Sequence, residues 1–223
     1  MPKQVIILFG PPGAGKGTQS ELLSEKMGLY LFETSKILEK EFKKAGNDPD
    51  YLERFVEFDG EKFDALEERK IWGSGTLNSP PWVTYLCIRE FKRLAEEGDN
   101  LILSGSPRTV YEAEKEMPVL VELYGKENIK IGMIEISPEV TIFRNTHRKI
   151  CELMRHSILF SKETEKLKLC PIDGSKLVKR NDLDDPETIK TRLNQYKERT
   201  LPLFDYFKNN GFKVSKINGE RTI

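Results

Sequence analysis

The sequence predicts an α/β fold: a five-stranded parallel sheet with helices on both faces, carrying two inserted lobes. Three observations lead there. Val5-Ile6-Ile7-Leu8-Phe9 is an unbroken apolar run closed by Gly10-Pro11-Pro12, the pattern of a strand buried on both faces as in parallel sheets. Similar runs recur at Leu101–Leu103 and Ile131–Ile136, Phe212–Ile217 reads as a last strand, and helical periodicity lies between them. Two segments, residues 35–79 and 149–185, break this alternation and read as insertions on one core.

Each element has its own signal. A helix starts near Lys16 and runs to about Met27. After Pro80-Pro81, the side chains Val83, Leu86, Cys87, Phe91 and Leu94 share one face, and Gly98 stops the helix. Ile189, Leu193 and Tyr196 do the same after Asp185-Pro186. Alternating strands and helices imply a parallel sheet covered on both sides. The core is therefore expected to comprise residues 1–34, 80–148 and 186–223. The segment 35–79 is charge-rich with breaks at Gly46-Asn47-Asp48-Pro49 and Trp72-Gly73-Ser74-Gly75, and 149–185 has little periodicity.

A chain of 223 residues can bury one sizeable core with appended lobes. Its 38% apolar and 32% charged residues read as a soluble globular protein. The 36 basic residues balance the 36 acidic ones, which argues against broad nucleic-acid binding. Any anion site must come from placed residues. Three cysteines in no framework spacing point to reduced thiols and a cytoplasmic location. The first apolar run is too short for a signal peptide or a membrane span.

Gly10-Pro11-Pro12-Gly13-Ala14-Gly15-Lys16-Gly17-Thr18 follows the first strand and opens the first helix. It satisfies G-x-x-x-x-G-K in the strand–loop–helix setting that a phosphate-binding loop requires, which makes the fold a P-loop NTPase type. Glycines let backbone N–H groups converge on phosphate oxygens, the helix start adds positive potential, and Lys16 brings a mobile charge. Gly13, Ala14, Gly15, Lys16, Gly17 and Thr18 are thus candidate ATP ligands. The residue after Lys16 is Gly17, where a hydroxyl usually meets Mg²⁺, and Thr18 comes one place later.

With that extra glycine the loop resembles those of adenylate kinases and related nucleoside monophosphate kinases. The resemblance covers nearly the whole chain. Ser104-Gly105-Ser106-Pro107-Arg108-Thr109 is similar to the family's D-G-F-P-R-T. Arg144 to Cys151 looks like the entry to the ATP-covering lid, and Lys179-Arg180-Asn181-Asp182 its exit. Arg192 matches an arginine of the next helix, and Leu201 to Tyr206 the closing helix. The resemblance implies transfer of the ATP γ-phosphoryl group to AMP, giving two ADP, with Mg²⁺ accompanying ATP and the protein working as a monomer. It assigns 35–79 to a monophosphate-binding lobe and 149–185 to the lid. Lys16, Arg108, Arg148, Arg180 and Arg192 take catalytic roles, with Arg144 and Arg148 on ATP. Thr34, Glu39, Thr76, Leu77, Gly105, Arg108, Glu112, Arg180 and Arg192 fall at the acceptor. The physics agrees: phosphoryl transfer needs positioning and positive charge, and guanidinium forks suit phosphate oxygens.

The sequence also departs from the family. Ser104 replaces an aspartate near the Mg²⁺ water shell, and Ser106 a phenylalanine. Glu39 stands where an arginine would grip the acceptor phosphate, with Lys36, Lys40 or Lys43 as compensating neighbours. Glu112 replaces a glutamine facing the base, and a carboxylate suits guanine better than adenine. The lobe from Thr34 to Gly75 is longer than usual by roughly four helical turns' worth of chain. Alternatives are accordingly another acceptor such as GMP, or a nucleotide-binding module with little turnover. In the lid, Cys151 and Cys170-Pro171-Ile172-Asp173-Gly174 resemble a structural zinc motif of some members. Met154 occupies the expected second position and is a poor ligand. The spacing therefore favours a metal-free lid with two buried thiols, unless a reshaped knuckle brings in His156.

Overall fold

The computed structural model describes residues 3–74, 76–154, 156–179 and 184–221. Its strands are β1 (Val5–Phe9), β2 (Tyr30–Glu33), β3 (Phe55–Phe58), β4 (Glu61–Asp64), β5 (Leu101–Ser104), β6 (Ile129–Glu135), β7 (Lys149–Cys151), β8 (Ser157–Ile158), β9 (Leu177–Val178) and β10 (Val214–Asn218). Its helices are α1 (Lys16–Met27), α2 (Thr34–Asn47), α3 (Ala65–Gly73), α4 (Pro80–Glu96), α5 (Val110–Tyr124), α6 (Pro138–His147), α7 (Pro186–Gln195) and α8 (Leu203–Asn209), with a π-helical turn at Tyr196–Thr200.

The central sheet has the expected five parallel strands, in the order β10-β6-β1-β5-β2. β1 lies in the middle, with Val5 beside Leu101 on one side and Ile129 on the other. Side chains alternate across a strand. Val5, Ile7 and Phe9 accordingly enter one core with α4, α5 and α8, whereas Leu8 joins Ala14, Leu29, Ile102 and Ile134 on the opposite face. The predicted face of α4 is buried in full, from Val83 to Leu94. The chain leaves β1 toward β2 on one side and returns through β6 on the other. The crevice above the carboxyl end of β1 is therefore a topological switch point, where open α/β sheets bind ligands.

Segment 35–79 folds against this core. Leu38, Phe42, Val56 and Phe63 belong to the same apolar cluster as β1 and α4, and Phe42 stacks on Trp82 with ring centroids 5.6 Å apart. Part of its length is a two-stranded hairpin, β3–β4, turning at Asp59-Gly60 with φ of 55° and 82°. Positive φ at both turn residues suits a tight hairpin, and Asp-Gly between alternating strands is its sequence signal. Segment 149–185 carries a separate three-stranded sheet ordered β8-β7-β9.

Candidate functional site: a phosphate cradle ringed by arginines

The loop from Gly10 to Gly15 turns where only glycine fits comfortably. At Gly10 a Cβ would sit 2.3 Å from the Ile134 carbonyl oxygen, and at Gly13, with φ of 77°, 2.5 Å from Asn145 Nδ2. The loop delivers the chain into α1 through Gly15, also at positive φ. No side chain caps α1, and no acidic residue occupies its first turn. Four other helices are closed by their own hydroxyl or carboxylate: α3 by Asp64, α5 by Thr109, α6 by Ser137 and α7 by Asp185. The open N–H groups and dipole of α1 are thus left for an anion.

Lys16 folds back over this loop, donating to the carbonyls of Gly10 at 2.7 Å and Pro11 at 2.9 Å. Burial, then the positive charges of Arg108 and Arg192, lower its pKa from 10.5 to about 7. Three cations expected at the transferring phosphates are therefore near enough to repel one another. Such crowding costs free energy until a polyanion arrives.

The remaining site residues are arranged around that point. Gly105, at φ of 103°, lies directly under Arg108, whose Nη2 is 2.7 Å from where a Cβ would stand. Arg144 Nη1 reaches the Gly13 carbonyl at 3.5 Å. Arg148 donates to Asn145 at 3.3 Å and to Asp184 at 2.9 Å. Thr34 opens α2, and its hydroxyl oxygen is buried without a hydrogen-bond partner. Thr76 and Leu77 lie half-buried before α4, Gly17 and Thr18 half-buried in the first turn of α1, and Ala14 is buried. Arg180 lies outside the described residues, as do Asn181 and Asp182.

Some departures take unexpected positions. Glu39 and Lys43 are both exposed, and Lys36 pairs with Glu33. Glu112 is 2% exposed, and its Oε2 accepts the Arg108 backbone N–H at 2.6 Å. It therefore turns back toward the start of its own helix, a contact that the fold creates and the base-facing expectation did not foresee.

In segment 149–185 Met154, which stands where a second cysteine ligand would be, is 64% exposed. His156 takes its place, because the turn after Cys151 returns the chain with the His156 N–H on Cys151 Sγ at 3.1 Å. His156 Nδ1 lies 3.5 Å from Cys151 Sγ, 3.6 Å from Cys170 Sγ and 3.2 Å from Asp173 Oδ2, and Cys151 Sγ lies 3.0 Å from Asp173 Oδ2. A tetrahedral zinc site with ordinary bond lengths has ligand–ligand edges of about 3.5 Å. The four donors all lie within 4.8 Å of one another.

A strand, a glycine-rich turn, an uncapped helix and a ring of arginines make this protein a P-loop phosphotransferase. Sequence comparisons narrow the class. A family model described as an AAA domain matches residues 9–150. The chain is 35% identical over 97% of its length to an adenylate kinase of Mycoplasma capricolum, covering 94% of that protein. It is 34% identical to one of Mycoplasma mycoides, over 92% of this chain and 87% of the relative, and 30% identical to one of Oceanobacillus iheyensis, over 98% and 93%. The chain belongs to the adenylate kinase family. Among the described residues no helix is long and apolar enough to cross a membrane.

Proposed function

We propose that this protein transfers the γ-phosphoryl group of ATP to AMP, reversibly, as a cytoplasmic monomer. The observation that carries the reading is the nearness of Arg108 and Arg192 to Lys16, which begins the uncapped α1. In this reading Gly13 to Thr18 offer backbone N–H groups to the β- and γ-phosphates of ATP, which arrives with its Mg²⁺, and Lys16 swings from the carbonyls onto them. Arg144 and Arg148 hold the donor from above. Arg108, Arg192 and Arg180 bind the acceptor phosphate, with Thr34, Thr76, Leu77 and Gly105 lining its site. The acceptor is already an anion, so no general base is required, and stabilisation of the equatorial oxygens is the main task. Residues 35–79 act as the acceptor lobe and 149–185 as a lid that excludes water, which would otherwise compete as a nucleophile.

The guanine alternative rests on Glu112 meeting the base. Its engagement with the Arg108 N–H weakens that argument. Incubation with ATP, Mg²⁺ and each common monophosphate, followed by chromatography, tests the reading. Fastest diphosphate formation with AMP is expected. A better acceptor than AMP overturns the acceptor assignment, and no diphosphate from any of them overturns the kinase reading.

The lid is also proposed to hold a structural Zn²⁺ on Cys151, His156, Cys170 and Asp173, a donor set of the right kind and spacing. Such an ion would tie the small sheet together and supply no chemistry to the transfer.

A further inference from the structure

Beneath the Arg108 loop lies a buried polar cluster that the transfer mechanism does not use. Ser106 is 1% exposed, Glu112 2%, and Glu116 and Cys87 are fully buried. The two glutamates stand four residues apart on α5, so they face each other on one side of the helix. Ser106 Oγ is 2.7 Å from Glu116 Oε2 and 3.5 Å from Cys87 Sγ, and its one proton can serve only one of them. Glu116 Oε1 has no hydrogen-bond partner.

We propose that Glu112 and Glu116, holding one proton between them, are positioning residues that fix the Ser106–Arg108 loop for the acceptor phosphate. The inference rests on the reading of Arg108 as the arginine that binds that phosphate.

The environments of the two carboxyls divide their roles. Glu112 receives the Arg108 N–H and faces the guanidinium groups of Arg108 and Arg199. Glu116 faces Ser106, Cys87 and the carboxylate of Glu112, with no cation among them. A buried anionic oxygen lacking a donor is costly, whereas a carbonyl oxygen there costs far less. The proton therefore resides on Glu116, and burial and its neighbour's charge push its pKa well up. As an acid it donates to Ser106 Oγ, which releases the Ser106 hydroxyl to Cys87 Sγ. The loop is then held at both ends, Ser106 by Glu116 and the Arg108 amide by Glu112. Loss of the proton sets a second negative charge against that of Glu112 and removes the donor to Ser106 Oγ, so both anchors of the loop loosen.

The test is acceptor KM against pH, from about pH 6 to about pH 9, with ATP KM as the internal control. Glu116→Leu is expected to raise AMP KM about tenfold, the scale of one disturbed charge-assisted hydrogen bond, with ATP KM unmoved. Glu116→Gln, which keeps a donor and an acceptor, should restore it. Wild-type AMP KM should climb at alkaline pH and that of Glu116→Gln should not. An unchanged AMP KM in Glu116→Leu, or parallel pH profiles in wild type and Glu116→Gln, would overturn the proposal. Infrared spectra of the wild-type protein supply a reading independent of the variants' folding. A buried carboxylic C=O band persisting at neutral pH supports the shared proton, and its absence refutes it. A protein that phosphorylates no monophosphate defeats the parent reading instead, and the infrared band still decides the proton.

Discussion

Arg148 and Asp184 form a 2.9 Å ion pair in which the Asp184 side chain is 2% exposed, joining the end of α6 to the stretch just before α7. These are the two ends of segment 149–185, so one contact ties its exit from the core to its return. Arg148 is at the same time a proposed donor-phosphate ligand.

Asp184→Ala leaves a half-buried guanidinium with less compensation. Loss of about 2 kcal/mol in unfolding free energy is expected, below the range for fully buried pairs because Arg148 retains some solvent. Urea denaturation measures it, and ATP KM should change because the hinge loosens. A variant as stable as wild type would show that other contacts hold the hinge.

The Lys16 pKa of about 7 against an ordinary 10.5 makes a signed prediction. Between those values the folded, nucleotide-free protein binds fewer protons than the unfolded chain. The Lys16 contribution to stability therefore rises with pH across this window, and the cost of the buried ammonium is greatest below it. Phosphates favour the ammonium, so ATP binding above about pH 7 should take up close to one proton. Calorimetry in buffers of different ionisation heat measures the uptake, and Lys16→Met should abolish it. Equal uptake by both proteins would assign the proton elsewhere.

Zinc on the four lid ligands should appear at about one ion per chain in elemental analysis. Chelation should then lower the melting temperature, since a ligand of the native state stabilises it by mass action. His156→Ala should lose the metal, whereas Met154→Ala, with its exposed side chain, should keep it. Full occupancy in the histidine variant would exclude His156 as a ligand.

The hairpin tip is tied to α5: Tyr111 donates to Asp59 Oδ2 at 2.7 Å and Lys115 to Oδ1 at 3.2 Å. Tyr111→Phe removes one hydrogen bond worth about 1 kcal/mol, so amides of β3 and β4 should exchange about fivefold faster. Amides of α1 serve as the reference. Unaltered exchange in the hairpin would mean that Val56 and Phe63 alone anchor it.

The cradle was legible because its residues are contiguous and its rules are local. Gly10 to Thr18 specify a turn, and Lys16 to Met27 a helix with the observed bounds. Strands β1, β5 and β6 declared themselves by apolar runs, and the face of α4 by its period. Strand β2 was missed because Tyr30 is exposed and the run is short. The β3–β4 hairpin was also missed, although Asp59-Gly60 between alternating residues carried the signal, because the charge of the segment masked its pattern.

Sequence alone determined strands β1, β5 and β6, the bounds of α1, the buried face of α4 and the glycine-rich turn from Gly10 to Gly15, since backbone sterics and hydrophobic period act over a few neighbours. Tertiary packing decided the rest. It brought Arg108 and Arg192 within electrostatic reach of Lys16, set Glu116 against Ser106 and Cys87, and placed His156 among Cys151, Cys170 and Asp173. Those contacts join residues distant along the chain, or reverse the direction of a turn, and only burial of the intervening elements fixes which charges must share a space.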